Sequence, residues 1–254
     1  AWQLAKAGIS VQLYEMKPKK YSPAHHYSGF AELVCSNSLK AARIGSAAGM
    51  LKAEMRLFDS LILRCAEESA VAAGGALAVD RTRFSDLVTE AIRQNEHICI
   101  FEEEVTEIPK EPVIIATGPL TSEGLSEAIR RYCGTQYLSF FDAAAPIVSA
   151  ESLNSSRVFM AARYGRGDAD YVNCPFTREE YEAFYDALIH AESAPLHEFD
   201  RRDFKVYEGC MPIEVMARRG ADTLRYGPLK PVGLTDPNTG KRPYAVVQLR
   251  RENA

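Results

Sequence analysis

Two cysteines stand in settings that favour a reactive thiol. In Glu208-Gly209-Cys210-Met211-Pro212-Ile213-Glu214, Pro212 suits a first helical position, and Arg218-Arg219-Gly220 supplies a last turn and a stop. Cys210 is expected just before that helix, where unpaired backbone N–H groups and the macrodipole favour a thiolate. Leu33-Val34-Cys35-Ser36-Asn37-Ser38-Leu39 has a similar build: Cys35 precedes good N-cap residues, and Leu39-Lys40-Ala41-Ala42-Arg43 would continue as a helix. The competing reading for each is a small buried hydrophobe, the ordinary state of a free Cys.

Other residues suggest a bound cofactor and an anionic partner. Ile9 to Tyr14 alternates apolar and polar residues and ends on Glu15. Helix, glycine, strand and terminal acid form the second half of a βαβ dinucleotide-binding unit, in which the acid accepts hydrogen bonds from the adenosine ribose. A strand ending in Glu is also ordinary solvation. Pro112-Val113-Ile114-Ile115-Ala116-Thr117-Gly118 reads as a buried strand whose Ala-Thr-Gly end lets backbone approach a flavin closely, or as a plain strand and turn. His25-His26 is either a solvated loop pair or a stacking element for substrate. Basic groups at Lys17–Lys20, Arg163/Arg166, Arg201-Arg202, Arg218-Arg219, Lys241-Arg242 and Arg250-Arg251 lie mostly in the second half, where a phosphate-contacting face is their expected use.

The elements that must position these residues follow from pattern. Residues 1–8 read as the end of a helix stopped by Gly8, and residues 16–46 as a long functional loop. Leu51, Met55, Phe58, Ile62 and Cys65 recur at helical spacing and predict one long helix with Cys65 on its packed face. Gly74 to Val79 predicts a strand, and Asp80 caps a helix with Phe84, Leu87, Val88, Ala91 and Ile92 as its apolar stripe. His97–Phe101, Glu104–Ile108 and Pro112–Ala116 read as short strands, with Cys99 in the core. Beyond about residue 120 come a helix near Ser122–Arg131 and strand-like runs at Gln136–Phe141, Ala145–Val148, Arg157–Ala162 and Ala169–Cys174. Thr177 and Glu180 form a capping box for a helix with an apolar face of Tyr181, Phe184, Tyr185, Leu188 and Ile189.

The 254 residues are 46% hydrophobic and 25% charged, which suits a globular α/β chain and argues against disorder. A net charge of −4 excludes a uniformly basic nucleic-acid binder but not a local basic face. No C-x-x-C pair occurs among six cysteines, so a metal site is not expected, and spacings of 30 to 41 residues fit reduced cytoplasmic thiols. No apolar run is long enough for a membrane helix. A start at Ala1 in mid-helix suggests a fragment, and oligomeric state is left open.

Taken together, AWQLAKAGISVQLYEMKPKKYSPAHH, FAELVCSNSL, GGALAVDR, EEVTEIP, VIIATGPLTS, CPFTREEYEAFYDALI, EGCMPIEVMA and GPLKPVGLTDPNTGKRPYAVVQLR resemble the folate- and FAD-dependent tRNA (uracil-5-)-methyltransferases, the TrmFO family, relatives of the GidA flavoproteins. The family's opening strand and glycine-rich motif are absent, as is the C-terminal part of the flavin domain. The resemblance implies a Rossmann-like FAD-binding domain over 1–119 and an inserted mixed α/β domain over 120–254 that contacts tRNA, with a return to the first domain near or beyond its end. It implies 5-methyluridine formation in the tRNA T-arm, with methylenetetrahydrofolate and NAD(P)H as co-substrates. Cys35 and Cys210 match the two family cysteines: Cys210 is assigned as the nucleophile on uracil and Cys35 as the base, with the reverse assignment open. Glu15 would hold the ribose, Val105 would lie by the adenine, and Ala116, Thr117 and Gly118 would line the cofactor. Asn37 and Ser38 would contact flavin, His25 and His26 folate or tRNA, and Arg218 and Arg219 the tRNA substrate. GidA-type modification of a wobble uridine, a general FAD oxidoreductase and a non-catalytic tRNA-binding fragment are the alternatives.

Overall fold

The computed structural model describes residues 1–118, 120–134, 146–192 and 211–253. Two compact units divide the chain: Ala1–Val71, Ala76–Ala145 and Glu252–Ala254 form the first, and Ala72–Gly75 with Pro146–Arg251 the second. The first unit carries α1 (Trp2–Lys6), β1 (Val11–Tyr14), β2 (Ser38–Ala41), α2 (Ala47–Leu57), α3 (Leu61–Glu68), β3 (Ala70–Val71), β4 (Ala76–Val79), α4 (Arg81–Arg93), β5 (Ile98–Phe101) and α5 (Glu123–Cys133). The second carries β6 (Phe159–Met160), β7 (Val172–Phe176), α6 (Arg178–His190), α7 (Ile213–Ala217), α8 (Thr223–Tyr226) and β8 (Ala245–Leu249). The architecture is mixed α/β with both parallel and antiparallel pairing.

Local chemistry builds much of the first unit. Gly8, at φ 75°, turns the chain out of α1 into β1. β1 then pairs in parallel with β5, from Val11 opposite Ile98 to Tyr14 opposite Phe101. The Asp80 side chain accepts from Arg83 N at 3.0 Å and starts α4, which buries Phe84, Val88 and Ile92 against Leu61, Leu63, Cys65 and Val79. Each such apolar side chain contributes roughly 1.5–3 kcal/mol by leaving water. A second sheet orders β2, β4 and β3 antiparallel, with a register shift between Ser38 and Ala41 where Lys40 takes φ 67°.

In the second unit β7 is the central strand between β6 and β8. The expected capping box is formed: Thr177 Oγ1 accepts from Glu180 N at 3.2 Å, and Glu180 Oε2 accepts from Thr177 N at 2.9 Å. α6 packs Tyr181 against Ala217, Leu224, Leu229 and Ala245, with Phe184, Tyr185, Leu188 and Ile189 alongside. Buried Asn173 donates from Nδ2 to the carbonyls of Phe159, Ala161 and Tyr171 and accepts from Gln248 Nε2 at 2.9 Å, joining all three strands.

Several sequence expectations are corrected. The helix expected through Leu51 and Cys65 is two helices, broken where Asp59 adopts φ 53°; Lys6 pairs with Asp59 at 2.6 Å, and Gln3 Nε2 donates to Phe58 O at 2.9 Å. The break turns Leu51 and Phe58 outward while Cys65 stays buried. Cys99 is exposed, because β5 is covered on one face only. Glu104–Ile108 and Pro112–Ala116 form no strand, and Ile114 is 76% exposed. Apolar composition alone makes no ladder; each N–H and C=O needs a neighbouring strand. Residues 146–148 are likewise not a strand, and Gln136–Phe141 lies outside the described residues. No helix among the described residues is long and apolar enough to cross a membrane.

Candidate functional site

Glu15 lies at the carboxyl ends of the parallel pair. Its N–H donates to Phe101 O at 3.0 Å, and its Oε1 accepts from Lys17 N at 3.0 Å. In open parallel sheets, ligands bind outside these carboxyl ends. An open cleft of about 400 Å³ is present there, lined by Lys19, Arg93, Ile100, Phe101, Glu102 and Glu103. Phe101 stacks on Tyr14 with centroids 4.9 Å apart. Val105, four residues beyond β5, is half-buried. Ala116, Thr117 and Gly118 are exposed, and Thr117 Oγ1 lies 2.6 Å from Thr121 Oγ1. Gly118 takes φ 73°, and a Cβ added to it would meet nothing within 4 Å.

The loop after β1 is organised by a buried cation, Lys17, from the otherwise surface-like Lys17–Lys20 group. Lys17 is only 5% exposed. Its Nζ donates to the carbonyls of Tyr27 at 3.0 Å and Gly29 at 2.6 Å and pairs with Glu32 Oε2 at 3.3 Å. Glu32 Oε1 accepts in turn from the backbone N–H of His26 at 2.8 Å and of Tyr27 at 3.0 Å. This hub sets the path of the two histidines. His26 is exposed, while half-buried His25 has Nδ1 2.6 Å from Ser22 Oγ. The loop is fastened to α4 by Phe30 N donating to Thr89 Oγ1 at 2.7 Å and Ser85 Oγ donating to Phe30 O at 2.6 Å. Gly29 is needed at this junction, since an added Cβ would stand 3.0 Å from Thr89 Oγ1 and collide with Ser85 Oγ.

Cys35 is exposed on a bend. The expected helix after it does not exist: Ser38–Ala41 is β2, paired with β4. The macrodipole argument for this thiol therefore fails, because strand pairing over residues 38–41 outcompetes the local helix signal. What holds Cys35 is a clamp on either side. Upstream, Arg81 Nη1 donates to Leu33 O at 2.6 Å while its guanidinium pairs with Glu252. Downstream, Asn37 is fully buried; its Nδ2 donates to Val79 O at 3.0 Å, and its own carbonyl accepts from Val79 N at 3.0 Å. Asn37, expected against a flavin, thus uses its amide to fix the loop. Half-buried Ser38 accepts at Oγ from Lys40 N at 3.1 Å. Neither clamp was legible, since Arg81 and Val79 lie more than forty residues away.

Cys210 lies outside the described residues. The segment after it forms the expected helix one residue late: Pro212 is the N-cap and not the first helical residue, Arg218 N–H donates to Glu214 O at 3.2 Å, and Gly220 takes φ 145°. Arg218 and Arg219 close that helix. The other thiols divide cleanly: burial pushes Cys65 and Cys174 up from the ordinary thiol range, while Cys99 and Cys133 are exposed. No cluster of three or more His, Cys, Asp or Glu among the described residues could hold a metal ion.

Comparison with known proteins gives the same lineage along the whole chain. The family model described as glucose inhibited division protein A matches residues 1–254. Relatives named methylenetetrahydrofolate–tRNA-(uracil-5-)-methyltransferase TrmFO include that of Acetivibrio thermocellus, 62% identical over 100% of this chain and 58% of its own length. Those of Desulforamulus reducens and Bacillus licheniformis are 61% and 59% identical, again over 100% of this chain and 57% and 58% of theirs. The chain therefore spans somewhat more than half the length of these relatives.

Proposed function

Because the chain belongs to the glucose inhibited division protein A family, we propose that it acts in methylation of carbon 5 of a T-arm uridine in tRNA, the one-carbon unit coming from methylenetetrahydrofolate. Relatives 59–62% identical carry the corresponding name. The observation that carries the chemistry is Cys35, solvent-exposed on a bend clamped by Arg81 and Asn37. Catalytic thiols must be reachable and held; structural ones are sealed.

The residues present fit an FAD whose adenosine lies at the carboxyl ends of β1 and β5. Glu15 has one oxygen engaged by Lys17 N and its other oxygen without a partner among the described residues. The adjoining cleft opens beside Lys19 and Arg93, and Gly118 leaves space beside its backbone. In this reading Glu15 would hold the ribose, Val105 would border the adenine, and Ala116, Thr117 and Gly118 would flank the cofactor within a Rossmann-like domain. The chemistry such a flavin would supply when bound, with NAD(P)H as co-substrate, is the two-electron reduction of a methylene unit to a methyl group.

Carbon 5 of uracil is a poor nucleophile. A Cys210 thiolate forms a bond to carbon 6, and the electron pair of the carbon 5–carbon 6 double bond moves into an enolate. Carbon 5 then attacks the methylene carbon, whose bond to one folate nitrogen breaks with the electron pair passing to that nitrogen. Cys35 removes the carbon 5 proton as the second carbon–nitrogen bond breaks and the folate leaves; a hydride equivalent would reduce the resulting exocyclic methylene to methyl, and the enolate so formed expels the Cys210 sulfur and restores the carbon 5–carbon 6 double bond. The second unit contributes basic residues to the RNA backbone, and the setting is cytoplasmic. The test uses the complete enzyme, methylenetetrahydrofolate, a reduced nicotinamide and a T-arm transcript, with nucleoside mass spectrometry as readout. Cys210→Ala abolishes 5-methyluridine while FAD stays bound. A carboxymethylaminomethyl product without 5-methyluridine would assign the chain to wobble-uridine chemistry instead.

A further inference from the structure

One loop of the second unit has a backbone that its own sequence does not favour. Residues 161–171 join β6 to β7, and within them Tyr164 takes φ 59° and ψ 19°. The left-handed region is sterically unfavourable for a residue with a Cβ. Burial does not offset that strain, since Tyr164 is 61% exposed. The conformation is imposed by neighbours. Tyr164 N–H donates to Gly233 O at 2.7 Å, and Arg163 Nη1 donates to the carbonyls of Lys230 at 2.7 Å and Val232 at 2.9 Å. The ring lies against Gly233, where an added Cβ would stand 2.9 Å from it. The loop's return limb is tied as firmly: Gly74 N donates to Asp170 at 2.7 Å, and Tyr171 Oη donates to Ala73 O at 2.7 Å.

This scaffolding holds an aromatic ring in solvent with a cation beside it. The Arg166 guanidinium lies 5.4 Å from the Tyr164 centroid, is exposed, and has no ion pair among the described residues. Strain maintained by surrounding structure at an exposed residue is a mark of a functional position. We propose that Tyr164 and Arg166 form an RNA-contact platform: the tyrosine ring stacks on an unpaired base of the tRNA substrate, and the arginine meets the adjoining phosphate. The proposal rests on the tRNA reading above. The buried core of a protein interface is apolar, whereas the chain neighbours of Tyr164 are Arg163, Gly165, Arg166, Gly167 and Asp168. The loop carries two arginines and two aspartates, so it is no electrostatic funnel. Recognition falls mainly on the ring, whose face accepts any base.

The test titrates the complete enzyme into a fluorescein-labelled T-arm hairpin RNA at several salt concentrations and follows anisotropy. Tyr164→Ala weakens binding about tenfold at each salt concentration, and Tyr164→Phe binds like the parent, because stacking needs only the ring. Arg166→Gln lowers the log–log salt slope by about one, the signature of one lost phosphate contact. Tyr164→Asn guards against misfolding, since Asn tolerates the left-handed backbone; it weakens binding with an unchanged melting temperature. Parent-like RNA affinity in the Ala and Asn variants would overturn the platform alone and leave the loop to a protein partner. A parent enzyme that neither binds nor methylates the hairpin would overturn the functional reading and the platform together.

Discussion

Replacing Lys17 by Met tests whether the loop after β1 is held by one buried cation. Met keeps most of the side-chain length and removes the charge. It leaves Glu32, whose side chain is 13% exposed, without its partner, and strips a donor from the carbonyls of Tyr27 and Gly29. Breaking a buried pair by deleting one member costs about 3–5 kcal/mol. The residual exposure of Glu32 moves the estimate to the lower end, about 3 kcal/mol. At roughly 2–4 °C per kcal/mol for a domain of this size, the melting temperature falls by about 6–12 °C. Calorimetry of the complete protein gives that shift. Hydrogen exchange adds a local readout, because the His26 and Tyr27 amides donate to Glu32 Oε1 and lose protection when the carboxylate is released. Lys17→Met combined with Glu32→Gln costs less than the sum of the two single changes. A Lys17→Met protein within about 0.5 kcal/mol of the parent, the range of ordinary surface substitutions, with both amides still protected, would refute the hub.

Other consequences are as direct. In the native protein at pH 8, iodoacetamide labels Cys35, Cys99 and Cys133 well before Cys65 and Cys174, whose burial raises their thiols; peptide mass spectrometry that found Cys65 labelled first would contradict the packing. The Thr177 N–H, with Arg157, holds the Glu180 carboxyl below its ordinary 4.5, so its contribution is full above that pH and is lost as pH falls through the lower native value. Glu180→Gln should therefore flatten the acid side of the stability profile measured by urea unfolding, and an unchanged acid limb would count against the capping carboxylate. Tyr181→Phe removes the donor to Ala221 O, a bond of 2.5 Å from a buried ring to an exposed residue. Water can reach that carbonyl once the donor is gone, so the change should cost about 1 kcal/mol, read from the shift in denaturation midpoint.

What the sequence by itself determined is short-range. Asp80 with the Phe84, Val88 and Ile92 stripe, Thr177 with Glu180, and Gly8 between helix and strand each act within a few residues, and all appear as read. Membership of the family was also legible, because long strings such as EGCMPIEVMA carry it without any geometry. Tertiary structure decided what depends on distant partners. Residues 38–41 have the composition of a helix start, yet β4 draws them into a sheet, which leaves Cys35 without a helix dipole. The periodicity from Leu51 to Cys65 passes over Asp59, whose left-handed turn is held by contacts from α1. Lys17 looked like one member of a surface patch and became the hub of its loop because Tyr27, Gly29 and Glu32 converge on it. The physical reason is common to all three. Helix caps and turns are satisfied by neighbours in the chain, whereas strand pairing, burial of a charge and imposed backbone strain are settled only by residues that folding brings from far away.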